Sequence, residues 1–152
     1  MNLREAAICL LEDFDAHQPG TVFARSDLNL SLEDAYELQF EVAALRESRG
    51  EQVAGYKSGC ISGTIQKQLG IERPVFGHVW NSEIYRSGAQ LCAQDFDGLA
   101  IEGELAVRLK DDVPSSAWLR NNPEVVATHL VVIELHNDVF RRRQQITVRR
   151  AF

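Results

Sequence analysis

Apolar and polar side chains alternate over residues 98–110, and this pattern constrains the fold more than any other part of the chain. Residues two apart in a strand lie on one face of a sheet, so the segment predicts a long β-strand with two unlike faces. A second apolar run, 130–135, contains a single acid, Glu134, and is typical of a strand buried on both faces. The apolar face of the first strand carries Leu99, Ile101, Gly103, Leu105, Val107 and Leu109, and the opposite face carries Ala100, Glu102, Glu104, Ala106, Arg108 and Lys110.

Two amphipathic helices are predicted before these strands. Asn2 with Glu5, and Ser31 with Asp34, have the spacing of a capping box at a helix start. Apolar residues then repeat at helical spacing until Pro19-Gly20 in the first case and until just before Gly50 in the second. Shorter strands or helical turns are predicted at 52–59, 62–69, 74–80 and 123–128. The sequence therefore predicts an α+β protein.

Size and charge limit the classes of function. The 152 residues are enough for one domain with a hydrophobic core. Of 16 basic and 22 acidic residues, five arginines and no acid lie in 141–152, so residues 1–140 carry 11 basic and 22 acidic residues. An acidic body argues against nucleic acid or an anionic membrane as the main partner. We find no membrane-spanning run and no signal peptide, and the widely spaced Cys9, Cys60 and Cys92 predict reduced thiols in a cytoplasmic protein.

Three carboxylates are candidates for a metal site. Glu102 and Glu104 point to the same strand face, roughly 6.5–7 Å apart at the backbone. Glu134 lies within the most apolar segment, where an ionised carboxylate needs a cation, hydrogen-bond donors or a proton. A divalent metal shared by all three would meet this need, and oxygen ligands alone suit Mg²⁺ or Mn²⁺. The alternatives are a solvated strand face for Glu102 and Glu104, and a buried, hydrogen-bonded acid for Glu134.

Other residues with reactive side chains are less distinctive. Lys57 lies between glycines in Gly55-Tyr56-Lys57-Ser58-Gly59, where the backbone can approach a ligand closely. Such a lysine binds a carboxylate or acts as an acid or base if burial lowers its pKa, and the alternative is an exposed loop lysine. A surface or capping role is the simpler interpretation of all four histidines, although His136 is near enough in sequence to reach a site around Glu134.

Several blocks, taken in order, resemble the 2-keto-4-pentenoate hydratase family, which includes the 4-oxalocrotonate decarboxylases and belongs to the fumarylacetoacetate hydrolase-like superfamily. The resemblance runs from about residue 5 to residue 140. The blocks are Ala35-Tyr36 with Gln39 and Arg46, Gly55-Tyr56-Lys57-Ser58-Gly59-Cys60, Gln66-Lys67-Gln68-Leu69-Gly70-Ile71, Pro74-Val75-Phe76-Gly77, Ile101-Glu102-Gly103-Glu104-Leu105-Ala106 and Val131-Val132-Ile133-Glu134-Leu135.

The resemblance implies a fold, a reaction and a set of site residues. The fold would be N-terminal helices followed by a mixed, β-rich roll. Glu102, Glu104 and Glu134 match the metal-ligand positions for Mg²⁺ or Mn²⁺, and Lys57 matches the active-site lysine. The implied enzyme is a hydro-lyase of aromatic-compound catabolism that adds water to a small 2-hydroxy-2,4-dienoate, giving a 4-hydroxy-2-oxoacid. A 4-oxalocrotonate-type decarboxylase is the alternative, and assembly into a homo-oligomer or with a related lyase stays open.

The end of the sequence departs from the resemblance, since family members are considerably longer. The arginine-rich residues 141–152 differ in composition from everything before them, as a frameshifted or truncated reading frame would produce. We therefore expect an incomplete roll. The expected division is a partial hydratase-family domain at 1–140, with helices at 1–50 and a metal-site β-region at 51–140, followed by a divergent tail at 141–152. A third hypothesis follows, an inactive fragment that binds a partner subunit.

Overall fold

The computed structural model describes residues 1–18, 20–24, 30–96 and 98–136. These residues form two compact units, one ending at Asp95 and the other beginning at Phe96. The structure contains α-helices as well as antiparallel strands, so the predicted mixture of helix and sheet is confirmed. The tail at 141–152 lies outside the described residues, and the predicted domain boundaries at 50 and 140 stay a prediction. Among the described helices, none is long and apolar enough to cross a membrane.

The first unit begins with two capped helices, α1 (Leu3–Asp15) and α2 (Leu32–Ser48). Asn2 and Glu5 form the predicted capping box of α1, and Ser31 and Asp34 form that of α2. Each box satisfies backbone N–H groups that the first helical turn leaves without partners. The start of each helix is therefore where the sequence predicts it, whereas α1 ends at Asp15, before the predicted stop at Pro19-Gly20.

The two helices bury a small apolar core. Its fully buried members come from both helices and from the 3-10 turn Val22–Ala24. These buried side chains are mostly small. The packing around them is completed by residues that are themselves only partly buried. The buried residues are Ala6, Ala7, Val22 and Leu38, and the surrounding ones are Met1, Leu3, Cys9, Leu10, Leu30, Val42 and Leu45.

An antiparallel strand pair follows in the same unit, formed by β1 (Val53–Gly59) and β2 (Val75–Trp80). The intervening helix α3 (Gly63–Leu69) ends at Gly70, whose φ of 71° is the left-handed conformation that glycine adopts readily. On α2, Tyr36 stacks on Phe76 of β2 with ring centroids 4.7 Å apart. The side-chain amide of Gln39 donates to the Phe76 carbonyl at 3.1 Å, so α2 and β2 are held together by ring stacking and a hydrogen bond.

Arg46 connects the end of α2 to the end of β2. Its side chain is only 10% exposed, and its guanidinium lies over the Trp80 ring, 4.3 Å from the centroid. It donates to Glu51 at 2.5 and 2.8 Å and to Glu83 at 2.7 Å. These bonds satisfy a buried charge that would otherwise destabilise the fold. Burial by itself would raise the pKa of Glu51, but hydrogen bonds from Arg46 and Arg49 outweigh it, and the pKa is lowered.

The second unit is built on the pair β3 (Ala100–Leu109) and β4 (Val126–His136), which run antiparallel. The connection between them contains α4 (Ser116–Asn121) and the 3-10 turn Pro123–Val125. Helix α4 is missing from the sequence prediction, although the Ser115 side chain caps it by accepting from the Trp118 N–H. The predicted alternation of β3 is confirmed. The helical turn predicted at 123–128 is present over Pro123–Val125, whereas Val126 already begins β4.

One prediction about β4 is wrong. The apolar run was expected in a strand buried on both faces, yet Val131 is 85% exposed and Ile133 is 70% exposed. Both lie on the same face of the pair as Leu105, which is 83% exposed. Burial on both faces requires a packed layer on each side of a sheet. Here the polar face is the more buried one, because Val132, Glu134 and His136 are half-buried.

Candidate metal centre

The register of the β3–β4 pair determines which side chains share its polar face. Glu102 lies opposite Glu134, Ala100 lies opposite His136, and Glu104 lies opposite Val132. Directly opposed residues of an antiparallel pair project to the same face, and so do residues two apart on one strand. The register therefore places four polar side chains on one face of the pair: Glu102, Glu104, Glu134 and His136.

Three of these four side chains come close together. Glu102, Glu134 and His136 each offer one ligand atom, and these atoms lie within 4.8 Å of one another. Nε2 of His136 is 3.5 Å from Oε1 of Glu102 and 3.6 Å from Oε2 of Glu134. The Glu134 side chain is 22% exposed and that of Glu102 is 60% exposed, so the group extends from a half-buried position toward solvent.

The chemistry of this group fits a divalent cation. Two carboxylates directly opposite each other on neighbouring strands repel one another unless a positive charge lies near them. Nε2 of His136 is buried and has no hydrogen-bond partner within the described part of the chain. A cation among these atoms would offset the repulsion and would use the nitrogen lone pair. The residues present thus fit a bound metal.

Glu104 shares the face but is outside the close group. It lies opposite Val132, is exposed, and is not among the three residues whose ligand atoms converge. The structure brings together two of the three predicted carboxylates, with His136 beside them. The assignment of Glu102, Glu104 and Glu134 as metal ligands stays a prediction.

Lys57 belongs to the first unit. It lies on β1 opposite Gly77 and is exposed. The Lys57 Cγ is 3.7 Å from the position that a Cβ on Gly77 would take, so the lysine stem runs close over the glycine backbone. Its neighbour Tyr56 projects to the other face, where its ring centroid is 5.3 Å from that of His78. Because neighbouring residues of a strand project to opposite faces, Lys57 lies on the face away from the Tyr56 and His78 rings. Its role as an active-site residue stays a prediction.

Sequence comparison relates the chain to two kinds of enzyme. It is 32% identical over 105 residues to the 2-hydroxypent-2,4-dienoate hydratase of Pseudomonas putida, a match that covers 68% of this chain and 47% of the relative. It is 37% identical over 95 residues to the 2-hydroxyhexa-2,4-dienoate hydratase of Comamonas testosteroni, covering 61% and 36% respectively. A 4-oxalocrotonate decarboxylase of Pseudomonas putida is 30% identical over 81 residues, covering 53% and 31%. No family model matches the chain.

Comparison of folds leads to one of these two kinds of enzyme, the decarboxylase. The chain matches 4-oxalocrotonate decarboxylase from Pseudomonas putida G7, complexed with magnesium and adipate, with a TM-score of 0.80 at 18% identity. That match covers 93% of this chain and 54% of the decarboxylase chain. The same enzyme complexed with calcium and acetate matches with a TM-score of 0.78 at 19% identity, over 91% of this chain and 54% of that one.

The chain is a partial homologue of 2-keto-4-pentenoate hydratases and 4-oxalocrotonate decarboxylases. The resemblance predicted from the sequence blocks is thereby confirmed. The chain spans less than half the length of the curated relatives it matches, 47% for the Pseudomonas putida hydratase. The mixed helix and sheet architecture has the decarboxylase fold over the matched region, while a closed roll stays a prediction.

His136 is the residue whose position the sequence argument judged least well. A surface or capping role was the simpler interpretation, and the structure places it beside Glu102 and Glu134. The sequence feature that indicates this position is the spacing between Glu134 and His136, which are two residues apart in one strand. That spacing predicts a shared face only once the strand is known to continue to His136.

Proposed function

We propose that this chain carries the metal-binding part of a lyase that adds water to a 2-hydroxy-2,4-dienoate, giving a 4-hydroxy-2-oxoacid in aromatic-compound catabolism. The observation that carries the proposal is the convergence of Glu102 and Glu134 on one strand face. Support also comes from relatives that are hydratases of such dienoates and from fold neighbours complexed with magnesium and calcium.

Glu102 and Glu134 hold Mg²⁺ or Mn²⁺ in this proposal, with Glu104 as the third carboxylate. Oxygen ligands of this kind suit hard divalent cations. When bound, the metal supplies Lewis acidity toward the carboxylate and 2-oxo oxygens of the substrate. The protein contributes the face itself, because the register fixes Glu102 against Glu134 and leaves Glu104 two residues along the same strand.

Lys57 is the proposed active-site residue outside the carboxylate group. As an ammonium it binds the substrate carboxylate, and as a neutral amine it accepts a proton. The reaction needs a proton moved from the 2-hydroxyl oxygen to C5, which converts the dienol into a 2-oxo-3-enoate. Water then adds its oxygen to C4 and a proton to C3. A lysine near the substrate supports either proton transfer or orientation of the carboxylate.

Decarboxylation of a 4-oxalocrotonate-type substrate is the second candidate. The observation that favours it is the 30% identity to the 4-oxalocrotonate decarboxylase of Pseudomonas putida over 53% of this chain. Both reactions pass through an enolate next to the 2-oxo group, formed by proton transfer in one case and by loss of CO₂ in the other. The same carboxylate face therefore suits either chemistry.

The test is an assay of the purified chain with each substrate, with Mg²⁺ or Mn²⁺ and after chelation. Loss of the dienoate absorbance with formation of the 4-hydroxy-2-oxoacid supports the hydratase, and CO₂ release supports the decarboxylase. Glu102→Gln and Glu134→Gln should remove turnover, whereas Glu124→Gln, an exposed acid in the same unit, should not. Metal binding without turnover of either substrate would contradict both and would favour a chain that associates with a related lyase.

A further inference from the structure

Nε2 of His136 is positioned to act as a metal ligand. It lies 3.5 and 3.6 Å from the nearest carboxylate oxygens of Glu102 and Glu134, which is too long for a hydrogen bond of ordinary strength. Two ligand atoms that bind the same ion, each at about 2.0–2.2 Å, lie about 2.8–3.6 Å apart when they are neighbours in octahedral or tetrahedral geometry. The two observed separations, 3.5 and 3.6 Å, lie at the upper end of this range, which corresponds to neighbouring ligands of a tetrahedral cation.

We propose that His136 binds the same metal ion as Glu102 and Glu134 through Nε2, so that the centre has a mixed nitrogen and oxygen ligand set. This inference rests on the proposed metal site but is independent of which reaction the site supports. The inference is based on the environment of Nε2, which is buried and has no hydrogen-bond partner in the described part of the chain. The His136 side chain as a whole is 37% exposed.

The local fold explains how the imidazole reaches this position. His136 is the last residue of β4 and lies opposite Ala100, whose methyl group leaves room on the shared face. Glu134 precedes it by two residues and projects to the same side. Ala100 lies two residues before Glu102 on β3. Two adjacent cross-strand pairs, Ala100 with His136 and Glu102 with Glu134, therefore place the imidazole next to both carboxylates.

A nitrogen ligand changes the metal preference of the site. Carboxylates alone suit Mg²⁺, Ca²⁺ and Mn²⁺, whereas imidazole binds Co²⁺, Ni²⁺ and Zn²⁺ well. We therefore expect this chain to bind Co²⁺ and Zn²⁺ much more tightly than Mg²⁺, by a margin that depends on His136. Removal of the imidazole should weaken Co²⁺ and Zn²⁺ binding by at least about tenfold and should change Mg²⁺ binding by less.

The experiment combines metal titration with spectroscopy on the full chain. Calorimetric titration with Co²⁺, Zn²⁺ and Mg²⁺ is compared between the parent and His136→Gln, which keeps a polar side chain. His129→Gln is the matched control, because His129 is exposed and lies on the opposite face of the same strand. Pulsed electron paramagnetic resonance of the Mn²⁺-loaded parent tests directly for a bound nitrogen and needs no variant.

The outcomes separate the inference from the proposed function. A nitrogen coupling in the parent, lost in His136→Gln and retained in His129→Gln, supports His136 as a ligand. Metal binding that Glu102→Gln removes but that shows no nitrogen coupling leaves the metal site standing and overturns the role of His136, in favour of an imidazolium paired with two carboxylates. Metal binding unaffected by Glu102→Gln and Glu134→Gln would overturn both.

Discussion

Glu102 lies directly opposite Glu134 across the β3–β4 pair, and the imidazole of His136 is within 3.6 Å of both carboxylates. Two opposed acids are unfavourable in a sheet, since like charges in directly paired positions repel. The arrangement is therefore stabilising only when a positive charge is shared between them. This relationship makes thermal stability a readout of whether a cation binds between the two carboxylates.

Neutralising one acid should abolish the stabilisation of the fold by metal. Without metal, we expect Glu102→Gln to unfold at the same temperature as the parent or a higher one, because repulsion worth about 0.2–1 kcal/mol is removed. With Mg²⁺ at about 100 times its dissociation constant, the parent should gain about 2.7 kcal/mol that the variant lacks. Thermal unfolding with and without Mg²⁺ measures both effects.

The matched control for this comparison is Glu124→Gln, which removes one negative charge from an exposed position in the same unit. It should respond to Mg²⁺ as the parent does. A variant Glu102→Gln that is stabilised by Mg²⁺ as strongly as the parent would show that the carboxylate pair does not bind the metal.

The Arg46–Glu51 contact predicts a pH dependence of stability in the first unit. Hydrogen bonds from Arg46 and Arg49 lower the pKa of Glu51 below its ordinary value of 4.5, despite the opposing effect of burial. A carboxyl whose pKa is lower in the folded state stabilises the fold above its unfolded pKa. That contribution is lost as the pH falls through the folded pKa.

We expect Glu51→Gln to lower the free energy of unfolding by about 1.5–3 kcal/mol near neutral pH, the usual range for hydrogen bonds to charged groups. The difference from the parent should shrink as the pH falls below 4.5 and through the lower pKa of Glu51 in the folded state. Urea unfolding at several pH values measures it, with the exposed Glu72→Gln as the control. A difference that stays constant with pH would argue against a stabilising charged Glu51.

Local features of the fold are predictable from the sequence because their causes are local. Ser31 and Asp34 satisfy each other's backbone groups within one helical turn, and Gly70 adopts the left-handed conformation that ends α3. The alternation in 98–110 likewise describes two faces of one strand. Helix α4 was missed because it is only six residues long and follows Pro114, with little apolar periodicity.

The centre itself depends on pairing that the sequence does not encode locally. Glu102 and Glu134 are brought together by a register between strands separated by a connection that contains α4. A shift of one residue would place the two acids on opposite faces. Both acids can be identified from their surroundings in the sequence, but the position of His136 follows only from the observed extent of β4.

The capping box of α2 predicts a measurable effect at its first residue. The Ser31 side chain accepts from the Asp34 N–H at 3.0 Å, and Asp34 accepts from the Ser31 N–H at 2.9 Å. Ser31→Ala removes the first of these bonds and should destabilise the chain by about 0.5–2 kcal/mol. Ser31→Thr should restore most of the loss, since threonine keeps the hydroxyl and is also a favoured N-cap. Equal losses in both variants would show that the capping bond is not the cause.

The apolar face of the β3–β4 pair predicts how the purified chain behaves in solution. Five large apolar side chains on this face are at least half exposed: Ile101, Leu105, Val107, Val131 and Ile133. A contiguous apolar surface of this kind promotes dye binding and association. We expect the chain to enhance the fluorescence of a hydrophobic dye such as anilinonaphthalene sulfonate.

The substitution that tests this surface is Val131→Lys, at its most exposed position. It should lower dye fluorescence and raise solubility with little change in the unfolding temperature, because the side chain makes few contacts in the fold. Thr128→Lys adds the same single charge at an exposed position of the polar face and is the control, which should leave dye binding unchanged. Equal dye binding by the parent and by Val131→Lys would mean that this face is covered in solution, and light scattering would then show whether association covers it.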